Sequence, residues 1–385
     1  MKKLIALLLA ACMLMGCAYA AAEEDILTCG DFAYVLREDN SAELVEYIGE
    51  VEDIFIPNEL DGHPVLAVMG NPFWQDAIHV NWFTLSVRED HPYLEIIDGV
   101  LFGKTDRMLI CYPPLLYGSE YSIPQGTERI ADCAFEFCSS LTTVWIPDSV
   151  TDIGVLAFHD CRGLTRVTIP GSVARIGEDA FWRCEHLAEV MIQDGAGCIG
   201  ERAFEGCTGL TAMTIPGSVT SIGDYAFADC SGLTALTIRD GVVRIGDGAF
   251  TGCSLTTVTI PNSIVEIGAG PFGSCPALSE IHVQPGNPAY TVVDGILFTR
   301  DESVLVQYPA GRQGHAYAIP DSVTRIGAFA FECCSCLTEV TIPASVAQIE
   351  IGAFSHCPDL TLTVTPGSYA EQYCREQGIP YEYAK

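Results

Sequence analysis

The chain repeats itself. Ala-Phe pairs begin at Ala134, Ala157, Ala180, Ala203, Ala226 and Ala249, a spacing of 23 residues. One residue is then dropped, and the cycle resumes at Pro271-Phe272, Ala330-Phe331 and Ala353-Phe354. Each start is followed four places on by cysteine, then by an apolar residue, a short β-like run and Ile-Gly. A period of this length predicts a repeat solenoid rather than a globular enzyme. One unit has too few inward side chains to offset the entropy of ordering its backbone, so it folds only against neighbours. Function in such a chain belongs to a surface, because no pocket is implied.

The unit Ala134–Leu156 shows how the coil is expected to form. Ala134, Phe135, Cys138 and Leu141 are spaced for one face of a short helical turn, whereas Val144 and Ile146 alternate with Thr143 and Trp145 as in a strand. Pro147 lacks the N–H that would continue the ladder. Val150 and Ile153 turn inward again, and Gly154 is expected to make the tight corner to the next Ala-Phe. The resulting fold is mainly β, with short helical turns.

Caps are expected at both ends. Phe32–Leu36 and Ala42–Ile48 flank Asp39-Asn40, a hairpin turn that covers the first coil. At the other end Leu362 and Val364 fall on positions that point outward elsewhere, so the regular stack is expected to stop there. Ser368-Tyr369-Ala370-Glu371 fits a helix capping box and Gly378 a helix stop, with Ile379–Tyr383 adding a last strand. Two segments, near residues 91–115 and 285–311, break the period and resemble one another. Pro92 to Asp98-Gly99-Val100-Leu101-Phe102 matches Pro288 to Asp294-Gly295-Ile296-Leu297-Phe298, and each leads to a Tyr-Pro pair. They read as β-hairpin insertions projecting from the solenoid edge, with the Asp-Gly pairs as turn signals.

Residues 1–20 read as an export signal: Lys2 and Lys3 precede an apolar run, Leu4–Met15, too short to span a bilayer. Two cleavage readings stand side by side. Leu14-Met15-Gly16-Cys17 resembles a lipobox in which Cys17 is lipidated, and Ala18-Tyr19-Ala20 resembles a signal-peptidase site. Either places the protein outside the cell, lipid-anchored at the surface or released. Residues 30–383 then form a single solenoid. The formal charge of −31 repels nucleic acid and anionic lipid, so membrane attachment is expected only through an N-terminal lipid.

Eighteen cysteines in an exported chain suggest disulfides, but their spacing argues otherwise. Cys138, Cys161, Cys184, Cys207, Cys230, Cys253, Cys275, Cys334 and Cys357 share one place in the repeat. They should stack as a column of buried free thiols, about 4.8 Å apart, too far for a relaxed bridge. Cys333-Cys334-Ser335-Cys336 lacks a second ligand pair, so no metal and no cofactor is expected.

The unit is similar to that of the BspA-like leucine-rich repeat family of bacterial surface proteins, also called the Treponema pallidum type. Its cycle is L-x-x-V-x-I-P-x-S-V-x-x-I-G-x-x-A-F-x-x-C. Leu164 through Cys184 carries the match, with Ile169-Pro170, Ser172-Val173, Ile176-Gly177, Ala180-Phe181 and Cys184 as landmarks. Departures are local. Gln193-Asp194 and Arg239-Asp240 replace the Ile-Pro corner's proline, Glu350 stands where glycine is expected, and Met69-Gly70-Asn71-Pro72-Phe73 is degenerate. The resemblance implies a surface-exposed binding or adhesion protein. Some members of the family bind host matrix proteins, but the resemblance transmits no ligand, and a monomer that binds a protein or glycan surface ligand, host-derived or not, is expected. A structural surface spacer without a specific ligand is the alternative.

No H-E-x-x-H, G-x-S-x-G, P-loop or dinucleotide fingerprint is present, so no enzyme is expected and no catalytic residue is assigned. The histidines read as exposed polar residues, with His159 and His356 sharing one surface position of their coils. Outward strand positions are dominated by threonine, from Thr143 to Thr341. Trp145, Arg166, Glu189 and Met191 depart from that pattern, and Trp, Met and Arg are enriched in interface cores. These four residues are the candidate ligand-binding site.

Overall fold

The computed structural model describes residues 26–50, 53–73, 83–114, 116 and 118–384. The export-signal reading, including Cys17, lies outside these residues. Two compact units divide the chain between Leu187 and Ala188.

The first unit opens with the antiparallel strands Leu27–Cys29, Phe32–Leu36 and Ala42–Tyr47, the last pairing in parallel with His63–Val68. Asn40 takes the left-handed conformation at the expected hairpin turn. The strands Leu94–Ile97, Val100–Gly103 and Met108–Cys111 follow as an antiparallel meander. Its last strand pairs in parallel with Arg129–Ile130, which pairs with Asp152–Ile153 and then Arg175–Ile176. A second parallel sheet contains Glu120–Ser122, Thr143–Trp145 and Arg166–Ile169. Register is set by the period: Ile130, Ile153 and Ile176 face one another.

The second unit repeats the scheme. Ala212–Ile215 pairs with Ala235–Ile238, and Thr257–Ile260 with Glu280–Val283. The two-residue strands from Cys198–Ile199 to Glu266–Ile267 form the companion sheet. A second meander, Tyr290–Val293, Ile296–Thr299 and Val304–Gln307, leads in parallel into Arg325–Ile326 and Gln348–Ile349.

Inside each unit identical side chains stack. Phe135, Phe158 and Phe181 are wholly buried, with neighbouring ring centroids 4.7 and 4.9 Å apart. Phe204, Phe227 and Phe250 stack likewise at 5.1 and 5.3 Å. The cysteines form the expected column and also do something a methyl group could not. Six of them donate from Sγ to the phenylalanine carbonyl of the preceding coil, among them Cys161 to Phe135 at 2.9 Å, Cys184 to Phe158 at 3.1 Å and Cys253 to Phe227 at 3.3 Å. Cysteine fits here because it is both small and a weak donor.

Four expectations need correction. The segment around each Ala-Phe is a run of tight turns, not a helical turn. Residues flanking the pair are left-handed, as at Leu156 (φ 56°) and Asp160 (φ 56°), and this interrupts helical propagation. Gly154 does not serve as a left-handed corner either. A Cβ on it would stand 2.6 Å from the Asp132 nitrogen, and one on Gly177 would stand 2.4 Å from the Gly154 oxygen. Glycine is needed there because adjacent coils touch backbone to backbone.

The period-breaking segments do not project. Val100–Gly103 and Met108–Cys111 are buried throughout, and each meander ends hydrogen-bonded to the next coil. Finally, Leu362 and Val364 point inward, opposite Val340 and Ile342. Leu337 precedes Val340 by three residues, but Leu360 precedes Leu362 by only two. That deletion restores the inward register, and the stack continues to Tyr381–Tyr383. The helix Tyr369–Gln377 packs beside it, capped by the Ser368 hydroxyl, which accepts from the Glu371 N–H, and stopped by left-handed Gly378.

Candidate functional site

The four-residue strands hold alternate side chains inward, as in Arg166–Ile169, where Val167 and Ile169 are buried while Arg166 and Thr168 are exposed. Strict alternation turns the other half of each strand to solvent. Adjacent coils then place equivalent outward residues side by side. In the first unit Ser122, Trp145 and Thr168 face one another across three strands, next to the row Glu120, Thr143 and Arg166. Trp145 is 50% exposed between two small hydroxyl side chains. About half of its surface is thus open to solvent, with hydroxyl-bearing neighbours on both adjacent strands. Arg166 lies one coil on and two residues back, also exposed. Thr143 departs from the expected pattern and is buried.

Glu189 and Met191 occupy a strand of the second unit, Glu189–Ile192, and both point to solvent. Met191 is 52% exposed. The remaining outward positions of that unit are small or hydroxylated, namely Ala212, Thr214, Ala235, Thr237, Thr257 and Thr259, until Glu280 and His282, 3.6 Å apart.

Sequence reasoning missed Phe55. It precedes Ile56-Pro57 as Trp145 precedes Ile146-Pro147, it lies on the strand Asp53–Ile56, and it is 52% exposed. The Ile-Pro pair was the available signal, hidden because the Ala-Phe landmark of that coil is degenerate.

His159 also corrects an expectation. It is buried, follows Phe158 directly, and does not share a position with His356, which stands one residue further from its phenylalanine. Its Nδ1 lies 2.8 Å from Glu136 Oε1, and its ring stacks on Trp182 at 4.7 Å with an 11° interplanar angle. Glu136 itself is buried, and its Oε2 has no hydrogen-bond partner. This cluster joins three successive coils and is closed to solvent, which suits packing better than turnover.

Four of the column thiols are held protonated. Burial pushes Cys275 up to about 12 and Cys138, Cys230 and Cys253 well above the ordinary thiol range, so the reactive thiolate is suppressed. Cys357 moves the other way, lowered chiefly by its hydrogen bond with the Cys334 thiol. All sixteen described cysteines are unbridged. Among the described residues no group of three or more His, Cys, Asp or Glu side chains could hold a metal ion, and no helix is long and apolar enough to cross a membrane.

Comparison with known proteins agrees with this architecture. The model of the BspA type leucine rich repeat region, in six copies, matches residues 117–234, 197–292 and 315–374, more than half of the chain. A leucine-rich cell surface protein of Faecalibacterium prausnitzii is 29% identical in its solved structure. That likeness covers 88% of this chain and 76% of that one, with a TM-score of 0.52. A leucine-rich repeat protein of Bacteroides ovatus is 21% identical over 93% of this chain and 100% of its own, with a TM-score of 0.46. The pneumococcal vaccine antigen PcpA is 19% identical over 88% of this chain and 69% of its own, with a TM-score of 0.47. No curated protein matches the chain.

Proposed function

The chain belongs to the BspA-type leucine-rich repeat family, and on that premise we propose that it is an exported, non-catalytic surface protein that binds a protein or glycan ligand through its outward strand face. Trp145 carries this reading. A half-exposed indole on a solvated sheet contributes little to folding, whereas covering it in a complex removes a large apolar face from water. Ser122 and Thr168 on either side supply hydroxyls, and Glu120 and Arg166 supply charge of both signs within one coil. Such a ring can stack on a sugar face or an apolar side chain while its neighbours hydrogen-bond to the rim. Glu189 and Met191 extend the reading to the second unit, and Phe55 offers a second aromatic anchor in the first. The surface description of the Faecalibacterium relative supports a place outside the cell, reached through the export signal and, in the lipobox reading, held by a lipid on Cys17. The protein acts as a monomer, without a cofactor.

The test is a capture experiment. Immobilised wild-type protein and Trp145→Ala are exposed in parallel to a glycan array and to extracts of microbial and host surfaces. Ligands retained by the wild type and lost by the variant support the reading. Equal retention by both moves the site away from Trp145.

A further inference from the structure

His91 and Asn287 occupy the same place, one at the entrance of each meander. Each precedes a proline and stands seven residues before an Asp-Gly turn. Both are almost wholly buried, at 1% exposure. Asn287 is held by four hydrogen bonds. Its Oδ1 accepts from the Ala289 and Tyr290 N–H groups at 2.9 and 2.8 Å, and its Nδ2 donates to the carbonyls of Pro261 and Ile264 at 2.8 and 3.0 Å. His91 reproduces that arrangement with a ring. Its Nδ1 faces the Tyr93 and Leu94 N–H groups at 3.2 and 2.9 Å, and its Nε2 lies 3.2 Å from the Pro57 carbonyl.

Backbone N–H groups only donate and a carbonyl only accepts. Nδ1 must therefore carry a lone pair and Nε2 the proton. The imidazole works here as an asparagine equivalent, and it does so only while neutral. A proton arriving on Nδ1 from solvent removes the acceptor of two buried N–H groups and leaves a cation beside them. The geometry points to His91 as a proton-operated latch that holds the first meander to the preceding coil near neutral pH and releases it in mild acid, while Asn287 holds the second meander at either pH.

The surroundings reinforce the direction. Burial is the main influence on the ring and favours its neutral form. The Nε2 bond to the Pro57 carbonyl opposes burial by favouring the charged ring, and two charged groups act in opposition to one another. The Lys104 ammonium, 2.8 Å from the His91 carbonyl, disfavours a second cation, and Asp90, already paired with Arg88, favours one. Together these hold the folded imidazole below its ordinary value. The unfolded chain takes up its proton near pH 6.5, so below that value it binds more protons than the folded state. The latch is complete above about pH 6.5 and weakens as the pH falls. It is independent of where ligand binds.

Hydrogen exchange on the full chain tests this, compared at about pH 7.5 and about pH 5 after correction for intrinsic rates. In the wild type, peptides covering residues 93–103 should lose at least about tenfold protection in acid relative to peptides covering 289–299. His91→Asn should abolish that loss, and Asn287→His should transfer it to the second meander. His159→Gln should leave the contrast intact, separating the latch from the other buried histidine. Equal protection of both wild-type meanders in acid overturns the proposal, as does a loss that survives His91→Asn. Should the variants fold poorly, nitrogen NMR of the wild-type ring decides. The Nε2–H tautomer at about pH 7.5 is required, and a proton on Nδ1 at that pH sinks the latch.

Discussion

The two meanders meet the same backbone demands with different side chains at their entrances, His91 in one and Asn287 in the other. Each inserts three antiparallel strands where a regular coil has a two-residue strand, and each turns at Asp-Gly with both residues left-handed. Each ends on a tyrosine that takes the phenylalanine's place in the aromatic column. Tyr112 stacks on Phe135 at 5.2 Å, and Tyr308 stacks on Phe331 at 5.1 Å. Each of those tyrosines donates its N–H to the alanine of the next coil at 2.8 Å. At the entrance a titratable imidazole, held below its ordinary value chiefly by burial, stands in one meander and an amide that does not titrate stands in the other. Identical backbone demands can thus be met by side chains of unlike chemistry.

Leu101 and Leu297 are wholly buried at matching positions. If both meanders are part of the core, Leu101→Ala and Leu297→Ala should each cost about 2–5 kcal/mol in denaturant unfolding. Losses below about 1 kcal/mol in either would mean that the segment is an appendage after all. At neutral pH, Asn287→Ala should cost about 2–3 kcal/mol, because it strands buried donors and acceptors on both sides of the amide. A neutral outcome would show that the entrance bonds are incidental. Gly99 and Gly295 sit at φ 82° and 76°. Alanine at either should cost about 1–2 kcal/mol for the left-handed backbone, equally in the two turns.

The smallest effect belongs to the outward face. Thr237→Ala combined with Thr259→Ala should shift stability by no more than about 0.5 kcal/mol per site, since both hydroxyls are exposed.

Much of the fold was legible because it rests on chemistry that recurs every coil. The stacked Phe135 and Cys161 positions, the Asp98-Gly99 and Asp294-Gly295 turns, and the Ser368 cap all follow from local residue types at fixed spacing. What escaped depended on counting across a single missing or extra residue, or on partners distant in sequence. The two-residue step from Leu360 to Leu362 reversed the expected face of Leu362 and Val364. A one-position misalignment put His159 on the surface, when it lies between Glu136 and Trp182. The bonds from His91 to Pro57 and from Asn287 to Pro261 join residues 34 and 26 apart, which no local pattern announces. The exposure of Trp145, by contrast, followed from strand alternation alone, and Phe55 would have followed from the same rule applied to Ile56-Pro57.

The proposed binding on the outward face and the stability of the stacked interior can be separated at Trp145. Titrating a captured ligand against wild type and Trp145→Ala, with unfolding curves from the same preparations, tests this separation directly. Affinity should fall about thirtyfold, near 2 kcal/mol, with the unfolding midpoint unchanged. Affinity within twofold of wild type, or a binding loss matched by an equal loss of stability, would contradict it.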